Sequence, residues 1–242
     1  EELRILKDTL EEKFGVTITD DKLREAAKKR NRYRKAVVEM YELQKAEPPV
    51  LKGTEIMVKL LKGTFNFEVD RVSEGIESRV KEAKEAYANG ERPVSADAKR
   101  ILLTGCPAGG VIEKIAATAE DAGAAIVCLD DCSGLRTMRT MVDTEADNIL
   151  DAIADRYLSI HCSVMSPNED RIDNTLKMVE EFKADGIIEI VLSACHTFNI
   201  ESERVRRRAQ DSGIPYIQLE TDYSPSDSGQ IQTRISAFLE ML

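Results

Sequence analysis

Residues 101–110 read ILLTGCPAGG, a short apolar run that ends in a glycine-rich turn. An amphipathic segment follows the turn, and the same order recurs to the end of the chain. Apolar runs joined by helical segments predict parallel strands with helices on both faces of the sheet. We therefore expect an α/β fold, doubly wound in the flavodoxin or Rossmann manner, with right-handed connections. The predicted strands are residues 101–104, 125–129, 157–160, 187–192 and 216–219, and the predicted helices are residues 110–122, 145–156, 170–184, 202–212 and 228–242.

The N-terminal part of the chain has a helical pattern throughout. Its clearest helix starts at Thr19-Asp20, which are favourable N-cap residues, and carries apolar side chains at intervals of three and four until Pro48-Pro49 ends it. Two further helices precede the punctuation at Asn89-Gly90. The change of pattern predicts two parts, a helical connecting region over residues 1–92 and an α/β domain over residues 93–242.

Composition excludes several classes of protein. The chain has 242 residues, 42% of them hydrophobic and 32% charged, with a net charge of −10. Residues 1–100 contain 22 Lys and Arg against 20 Asp and Glu, so the acidic excess lies in the α/β part, which would repel a nucleic-acid backbone. No apolar stretch reaches the ~18 residues of a bilayer span. The five cysteines form an odd number without secretory features, which predicts reduced thiols in a cytoplasmic protein.

Four cysteines come just after predicted strands, namely Cys106, Cys132, Cys162 and Cys195. The C-terminal ends of parallel strands share one edge of a sheet, and open α/β sheets bind their ligands at that edge. These thiols are therefore expected to converge although they are distant in sequence. Cys128 lies inside a predicted strand and is interpreted as a small buried hydrophobe.

Several thiolates at one edge are typical of an iron–sulfur cluster held by scattered cysteines. An α/β domain with unligated cysteines remains an equal alternative. Structural zinc usually takes closely spaced C-x-x-C pairs, which this chain lacks. A Cys–His dyad would pair His161 or His196 with the adjacent cysteine, but neighbouring residues of an extended chain point to opposite faces.

The turn over residues 104–110 allows two functions and one structural interpretation. A glycine-rich turn between a strand and a helix can bind phosphate through its backbone amides. The motif is neither a Walker sequence nor G-x-G-x-x-G. Its amides could instead donate to the sulfides of an anionic cluster, or the turn could be a tight connection only. The arginines Arg204, Arg206, Arg207 and Arg208 are interpreted as a solvated helix face.

Several motifs of the α/β part are specific when they are taken together and in order. They are Thr104-Gly105-Cys106-Pro107, Asp131-Cys132-Ser133-Gly134, Cys162-Ser163-Val164-Met165-Ser166-Pro167-Asn168, Ala194-Cys195-His196-Thr197-Phe198-Asn199-Ile200-Glu201-Ser202, Glu220-Thr221-Asp222-Tyr223-Ser224 and Gly229-Gln230-Ile231-Gln232-Thr233-Arg234. These motifs resemble the 2-hydroxyacyl-CoA dehydratase and benzoyl-CoA reductase subunit family, of the D-component type. The helical region is similar to the segment that joins the two halves of such subunits.

The resemblance implies two flavodoxin-like halves with a cubane cluster in the cleft, of which this chain would be the C-terminal half with its connecting helices. It implies Cys195 as a cluster ligand. Retained cysteines in the first two motifs point to the related double-cubane branch, with Cys106 and Cys132 as additional ligands and Cys162 next. The glycines of the turn, Gly105, Gly109 and Gly110, are then expected near the cofactor.

The resemblance also implies a reaction and its partners. An ATP-dependent activator iron–sulfur protein would deliver an electron to the cluster, and a 2-hydroxyacyl-CoA would lose its hydroxyl group through a ketyl radical to give the enoyl-CoA. A sister subunit and an N-terminal half of the same subunit are expected, and the fragment alone is expected to bind little cluster and to be inactive. No catalytic acid or base is assigned; helix capping explains Asp227 or Ser228 better than catalysis does. A non-catalytic electron-transfer or ligand-binding module is the rival from another class.

Overall fold

A parallel sheet of four strands forms the centre of the computed structural model, which describes residues 1–165 and 167–242. The strands are β1 (Lys99–Gly105), β2 (Ala124–Asp130), β3 (Gly186–Leu192) and β4 (Tyr216–Thr221), and their order across the sheet is β2-β1-β3-β4. Every residue of β2 and all but the first of β1 are buried, as expected of a parallel sheet covered on both faces. The predicted doubly wound α/β class is confirmed.

Helices surround this sheet and precede it. They are α1 (Glu2–Phe14), α2 (Asp20–Glu42), α3 (Gly53–Thr64), α4 (Val69–Ala88), α5 (Thr118–Asp121), α6 (Leu135–Met138), α7 (Ile149–Leu158), α8 (Glu169–Glu181), α9 (His196–Asp211) and α10 (Ser228–Glu240). A 3-10 turn, Leu43–Lys45, follows α2, and a π-helical turn, Glu113–Ala117, leads into α5. Among the described residues, no helix combines the length and the apolar character needed to cross a bilayer.

The strand predicted over residues 157–160 is wrong. Tyr157 and Leu158 are the last residues of α7, and both side chains are more than half exposed. The apolar run is thus the end of an amphipathic helix rather than a buried strand, a confusion to which short apolar runs are prone. Cys162 therefore lies in the loop between α7 and α8 and not at the end of a strand.

Among the helix starts that differ from the prediction, one affects the site. Helix α9 begins at His196, six residues before the predicted start, so Cys195 occupies its N-cap position. Helix α7 begins at Ile149 because the Asn148 side chain accepts hydrogen bonds from the amides of Leu150 and Asp151. Ser166, one residue of the motif that contains Cys162, lies outside the described residues.

Helix α3 and the 3-10 turn after α2 pack directly on β2. Side chains of α2 and α3 belong to the same hydrophobic cluster as those of β1 and β2. The buried Gln44 amide donates to the carbonyl oxygen of Ile126 in β2 at 3.1 Å, and the guanidinium of Arg100 in β1 donates to the carbonyl oxygen of Gln44 at 2.8 Å. Polar and apolar contacts therefore cross the predicted boundary at residue 92.

Candidate functional site

The direction in which successive strands are added to the sheet reverses between β1 and β3, and one cysteine follows each of these two strands. After β1 the chain leaves for β2 on one side, whereas β3 and β4 lie on the other, so β1 and β3 flank a topological switch point. Cys106 follows β1, and Cys195 follows β3 by three residues. Doubly wound sheets bind ligands outside the carboxyl ends of their strands at such a point. We call these ends the carboxyl edge, and Cys106 with Cys195 the thiol pair.

The two cysteines of the thiol pair share one hydrophobic cluster. Cys106 packs with Val191 and Phe198 in a small hydrophobic cluster, and Cys195 lies against that cluster. Burial raises the pKa of Cys106 to about 12, and the neighbouring Cys195 thiol raises it as well. The Leu192 amide donates to the Cys106 sulfur at 3.4 Å and opposes this rise. Without a cation or metal beside it, the Cys106 thiol stays protonated at neutral pH.

Backbone geometry fixes Cys195 at the end of a helix. Ala194, the preceding residue, has a φ of 67°, and this left-handed turn brings the chain from β3 into α9. The amide of Asn199 donates to the Cys195 carbonyl oxygen at 3.0 Å, the first hydrogen bond of the helix. Cys195 thus lies at the positive end of the helix dipole, which favours a negatively charged ligand at this position.

Cys132 and Cys162 form a second pair of thiols, of which Cys132 follows β2. The Cys132 residue as a whole is exposed, but its sulfur is partly buried. This burial raises the pKa of the Cys132 thiol, and the charges of Asp131 and Cys162 raise it further. The guanidinium of Arg136 opposes this rise and lies 3.8 Å from the Cys132 sulfur. Cys162 therefore shares the neighbourhood of Cys132, although its loop follows a helix and not a strand.

A buried network of charges joins the Cys162 loop to the helix of Cys195. Asn168 donates both to the Cys162 carbonyl oxygen, at 2.9 Å, and to the Glu201 carboxylate in α9, at 2.7 Å. The other oxygen of Glu201 accepts from Arg171 at 2.6 Å, and Arg171 also contacts Glu189 in β3 at 3.3 Å. Burial raises the pKa of Glu189, and Arg171 opposes the rise. The network sets where the two cysteine segments lie relative to each other.

Asp131 connects the glycine-rich turn to the Cys132 loop. Its carboxylate is buried and accepts from the amide of Ala108 at 2.9 Å and from the amide and hydroxyl of Ser133. Burial raises the pKa of Asp131, and these hydrogen bonds lower it. Asp131 belongs to a motif quoted above, but no role was predicted for it or for Arg136 and Arg171. Asp131 could have been noticed as a carboxylate directly after a buried strand, but nothing in the sequence marks the two arginines.

The three glycines of the turn have different surroundings. Gly105 has a φ of +108°, and a Cβ there would lie 2.1 Å from the Ile190 carbonyl oxygen, so it allows β1 and β3 to approach. A Cβ at Gly109 would meet the Leu61 side chain at 3.0 Å. Gly110 lies under the ring of Tyr223. Gly109 and Gly110 therefore face a separate cavity, while Gly105 and Cys106 lie against β3.

Other residues considered from the sequence have structural partners. Cys128 is buried in β2 with its sulfur 3.7 Å from that of Met178, as expected of a core residue. Asp227 occupies the N-cap position of α10, yet its carboxylate pairs with Lys114 and Thr221 and not with the helix amides. Within the described ranges, neither His161 nor His196 forms a side-chain hydrogen bond to a cysteine. The arginines at 204, 206, 207 and 208 pair with Glu169, Glu203 and Asp173.

The cysteines are chemically suited to bind an iron–sulfur cluster, but fewer of them come together than a complete cluster needs. Thiolates are the preferred ligands of such clusters, and four cysteines lie at or beside the carboxyl edge. Two of them form the thiol pair, and two others lie near each other. Across residues 1–165 and 167–242, no three His, Cys, Asp or Glu side chains converge enough to hold a single metal ion. The thiol pair can thus supply two ligands, and a complete cluster would need further ones.

Two neighbouring cysteines at the switch point of a doubly wound parallel sheet place the chain among the α/β domains, a class that binds its ligands at this edge. The family described as 2-hydroxyglutaryl-CoA dehydratase, D-component, matches residues 1–242, and the chain belongs to this family. The resemblance found in the motifs is thereby confirmed.

Named relatives are subunits of dehydratases and of a reductase. The chain is 39% identical to the "Putative dehydratase subunit YjiM" of Escherichia coli (strain K12), with all of the chain covered. It is 26% identical to the (R)-phenyllactyl-CoA dehydratase beta subunit of Clostridium sporogenes over 97% of the chain. It is also 26% identical to a benzoyl-CoA reductase subunit of Thauera aromatica over 96% of the chain. The chain spans 62%, 61% and 58% of the lengths of these relatives, respectively.

Proposed function

We propose that residues 1–242 form the C-terminal, cluster-binding portion of a subunit of a 2-hydroxyacyl-CoA dehydratase-like enzyme. The reaction is the reductive dehydration of a 2-hydroxyacyl-CoA to the enoyl-CoA, with an electron from an ATP-dependent activator. The observation that carries this proposal is the thiol pair, which lies at the ligand-binding point of the fold in a chain that belongs to the dehydratase family.

In this proposal, the chain's own residues hold and shield the cofactor. Cys195 presents its thiolate from the positive end of α9, and Cys106 presents a second from the end of β1. Phe198 and Val191 pack around Cys106 and keep water away from its side chain. When bound, a low-potential iron–sulfur cluster would supply the electron that allows the thioester to lose its hydroxyl group.

A double-cubane reductase is the alternative. Cys132 follows β2 at the carboxyl edge, and Cys162 is close enough to raise its pKa, so the two would provide thiolates beyond those a single cubane takes from this chain. A third candidate, an electron-transfer module without turnover, would use the same cysteines. Iron content separates the first two, and turnover separates the third from both.

The cluster is tested by anaerobic purification of the complete subunit, followed by determination of iron and acid-labile sulfide. We expect ~4 iron atoms per chain for a single cubane and about twice that for a double cubane. Cys195→Ser should remove most of the iron, whereas Cys128→Ala, a matched change in the core, should retain it. Iron-free wild-type protein, or equal iron in both variants, contradicts the proposal.

Turnover is tested with (R)-2-hydroxyacyl-CoA thioesters, a reductant, ATP and the activator protein. Formation of enoyl-CoA that requires all of these components supports the dehydratase. Reduction of the cluster without conversion of any thioester identifies the electron-transfer module instead. Residues 1–242 alone should bind little cluster, because the thiol pair provides two of the four thiolates that a cubane takes.

A further inference from the structure

A cavity of about 510 Å³ lies beside the turn that carries Cys106. Its walls come from α3, from the turn at Gly109 and Gly110, and from the loop between β4 and α10. Gly109 follows Cys106 by three residues, so backbone geometry keeps the two within about 11 Å. A ligand in the form of a chain could therefore reach from this cavity towards the thiol pair.

The cavity combines apolar walls with neutral hydrogen-bonding groups. Val58, Leu61 and Ile112 provide the apolar surface. Thr118, Ser224 and Ser228 also line the cavity and carry hydroxyl groups. Such a lining suits an apolar chain interrupted by amide or hydroxyl groups.

Charge in the lining argues against a bound phosphate. Lys114 is the one cation among the described lining residues, and its ammonium group already donates to Thr221 at 2.8 Å, to Asp227 at 2.7 Å and to the carbonyl oxygens of Asp222 and Ser224 at 2.6 and 2.5 Å. Glu113 adds a negative charge to the wall. The cavity therefore favours an uncharged part of a ligand.

Tyr223 forms an aromatic wall whose position depends on Gly110. The Tyr223 side chain is 69% exposed although its ring lies against the backbone of Gly110. A Cβ at Gly110 would lie 2.3 Å from the ring, so a larger residue there would displace it. Lys114 holds the loop that carries Tyr223 through its hydrogen bonds on both sides of this residue. The ring is thus kept beside the cavity and remains free for contact with a ligand.

We propose that this cavity binds the pantetheine arm of the acyl-CoA thioester, an inference that rests on the proposed function. The pantetheine arm is uncharged and carries two amides, a hydroxyl and a dimethyl-substituted carbon, which match the lining. Its thioester end would point towards the thiol pair, and its phosphates would stay outside in solvent. Tyr223 contacts the arm, and Gly110 and Lys114 are positioning residues for Tyr223.

Binding to the complete subunit is measured by calorimetry with three probes: coenzyme A, pantetheine and adenosine 3′,5′-bisphosphate. We expect coenzyme A and pantetheine to bind and the nucleotide alone to bind much more weakly. Tyr223→Ala and Gly110→Ala should each weaken coenzyme A and pantetheine about three- to tenfold, the usual effect of losing one aromatic contact. Tyr223→Phe should retain binding, because the contact uses the ring.

Two matched variants control for general effects on the fold. Gly75→Ala adds the same methyl group in α4, where a Cβ would meet nothing within 4 Å. Tyr157→Ala removes an exposed tyrosine, 55% accessible, from α7. Both should bind coenzyme A as the wild type does, and circular dichroism should show all variants folded.

Three results would overturn the inference: absence of coenzyme A binding, equal affinity in the cavity variants and their controls, or tight binding of the nucleotide without pantetheine. These results are independent of the iron determination. Binding of coenzyme A that depends on Tyr223 in an iron-free protein would support the cavity and contradict the proposed function. A subunit that contains its iron–sulfur cluster but binds coenzyme A equally well after Tyr223→Ala would support the proposed function and contradict the role of the cavity.

Discussion

Arg171 is a cation with no accessible surface, surrounded by groups from three elements of the fold. It contacts Glu201 in α9 at 2.6 Å, Glu189 in β3 at 3.3 Å and the Thr104 hydroxyl in β1 at 3.4 Å. Removal of one member of a buried ion network leaves the opposite charges without a partner, and this costs far more than the loss of an exposed pair. Arg171 therefore joins the Cys195 helix to β1 and β3.

Arg171→Met should lower the free energy of unfolding by about 3–5 kcal/mol, because Glu189 and Glu201 would remain buried and unpaired. Arg208→Met is the matched control. Its partner Asp173 lies 2.6 Å away, but both side chains are nearly half exposed, so we expect a change within about 1 kcal/mol. Urea denaturation of both variants measures the difference. Similar losses would show that the buried network contributes little.

The loop between β4 and α10 is held in place by a side chain from another part of the chain. Lys114, in the π-helical turn before α5, ties together both ends of residues 221–227. The hydrogen bond from Lys114 holds the pKa of Asp227 below its usual value, and the Thr221 hydroxyl lowers it further. This ion pair explains why Asp227 does not cap α10.

The contribution of Asp227 should depend on pH. Because its pKa is lower in the folded protein than the ordinary value of 3.8, its stabilisation is present above that value and is lost as the pH falls through the folded-state pKa. Asp227→Asn should therefore lower the thermal midpoint at neutral pH, with a difference that shrinks as the pH falls below 3.8 towards the folded-state pKa. Asp222→Asn serves as the control, since its carboxylate lies 4.0 Å from Lys114 and is 57% exposed. A difference that grows on acidification would contradict this assignment.

At the level of the whole molecule, one hydrophobic core joins the N-terminal helices to the sheet. Val37 and Met40 of α2 are completely buried in the same cluster as Ile101 and Ile126. Helix α1 is different, because none of its residues is buried. The predicted division at residue 92 stays a prediction, and the continuous core indicates how to test it.

A truncated chain of residues 93–242 should fail to fold cooperatively, because it would expose the apolar surface of β2 on which α3 and the 3-10 turn pack. A chain that lacks only residues 1–15 should keep the fold, since it loses α1 and no buried side chain. Thermal unfolding followed by circular dichroism distinguishes the two. A sharp transition for residues 93–242 would establish that the two parts fold independently.

Local pattern was sufficient to predict most elements. Apolar runs at residues 101–104, 125–129, 187–192 and 216–219 lie within the four strands. The run at residues 157–160 failed because four residues are too few to distinguish alternation from the end of a helical stripe. The placement of Cys106 and Cys195 after β1 and β3 followed from the same pattern. Their roles as ligands stay a prediction.

By itself, the amino-acid order determined the α/β class, the position of three thiols after parallel strands and the family resemblance. These properties depend on neighbours in the chain, because the spacing of apolar residues reflects the periods of strand and helix. Only the tertiary structure decided that Cys106 and Cys195 share one hydrophobic cluster, that Cys162 is close enough to raise the pKa of Cys132 and that Arg171 is buried. Those contacts depend on strand order and on the packing of distant segments, which no local pattern encodes.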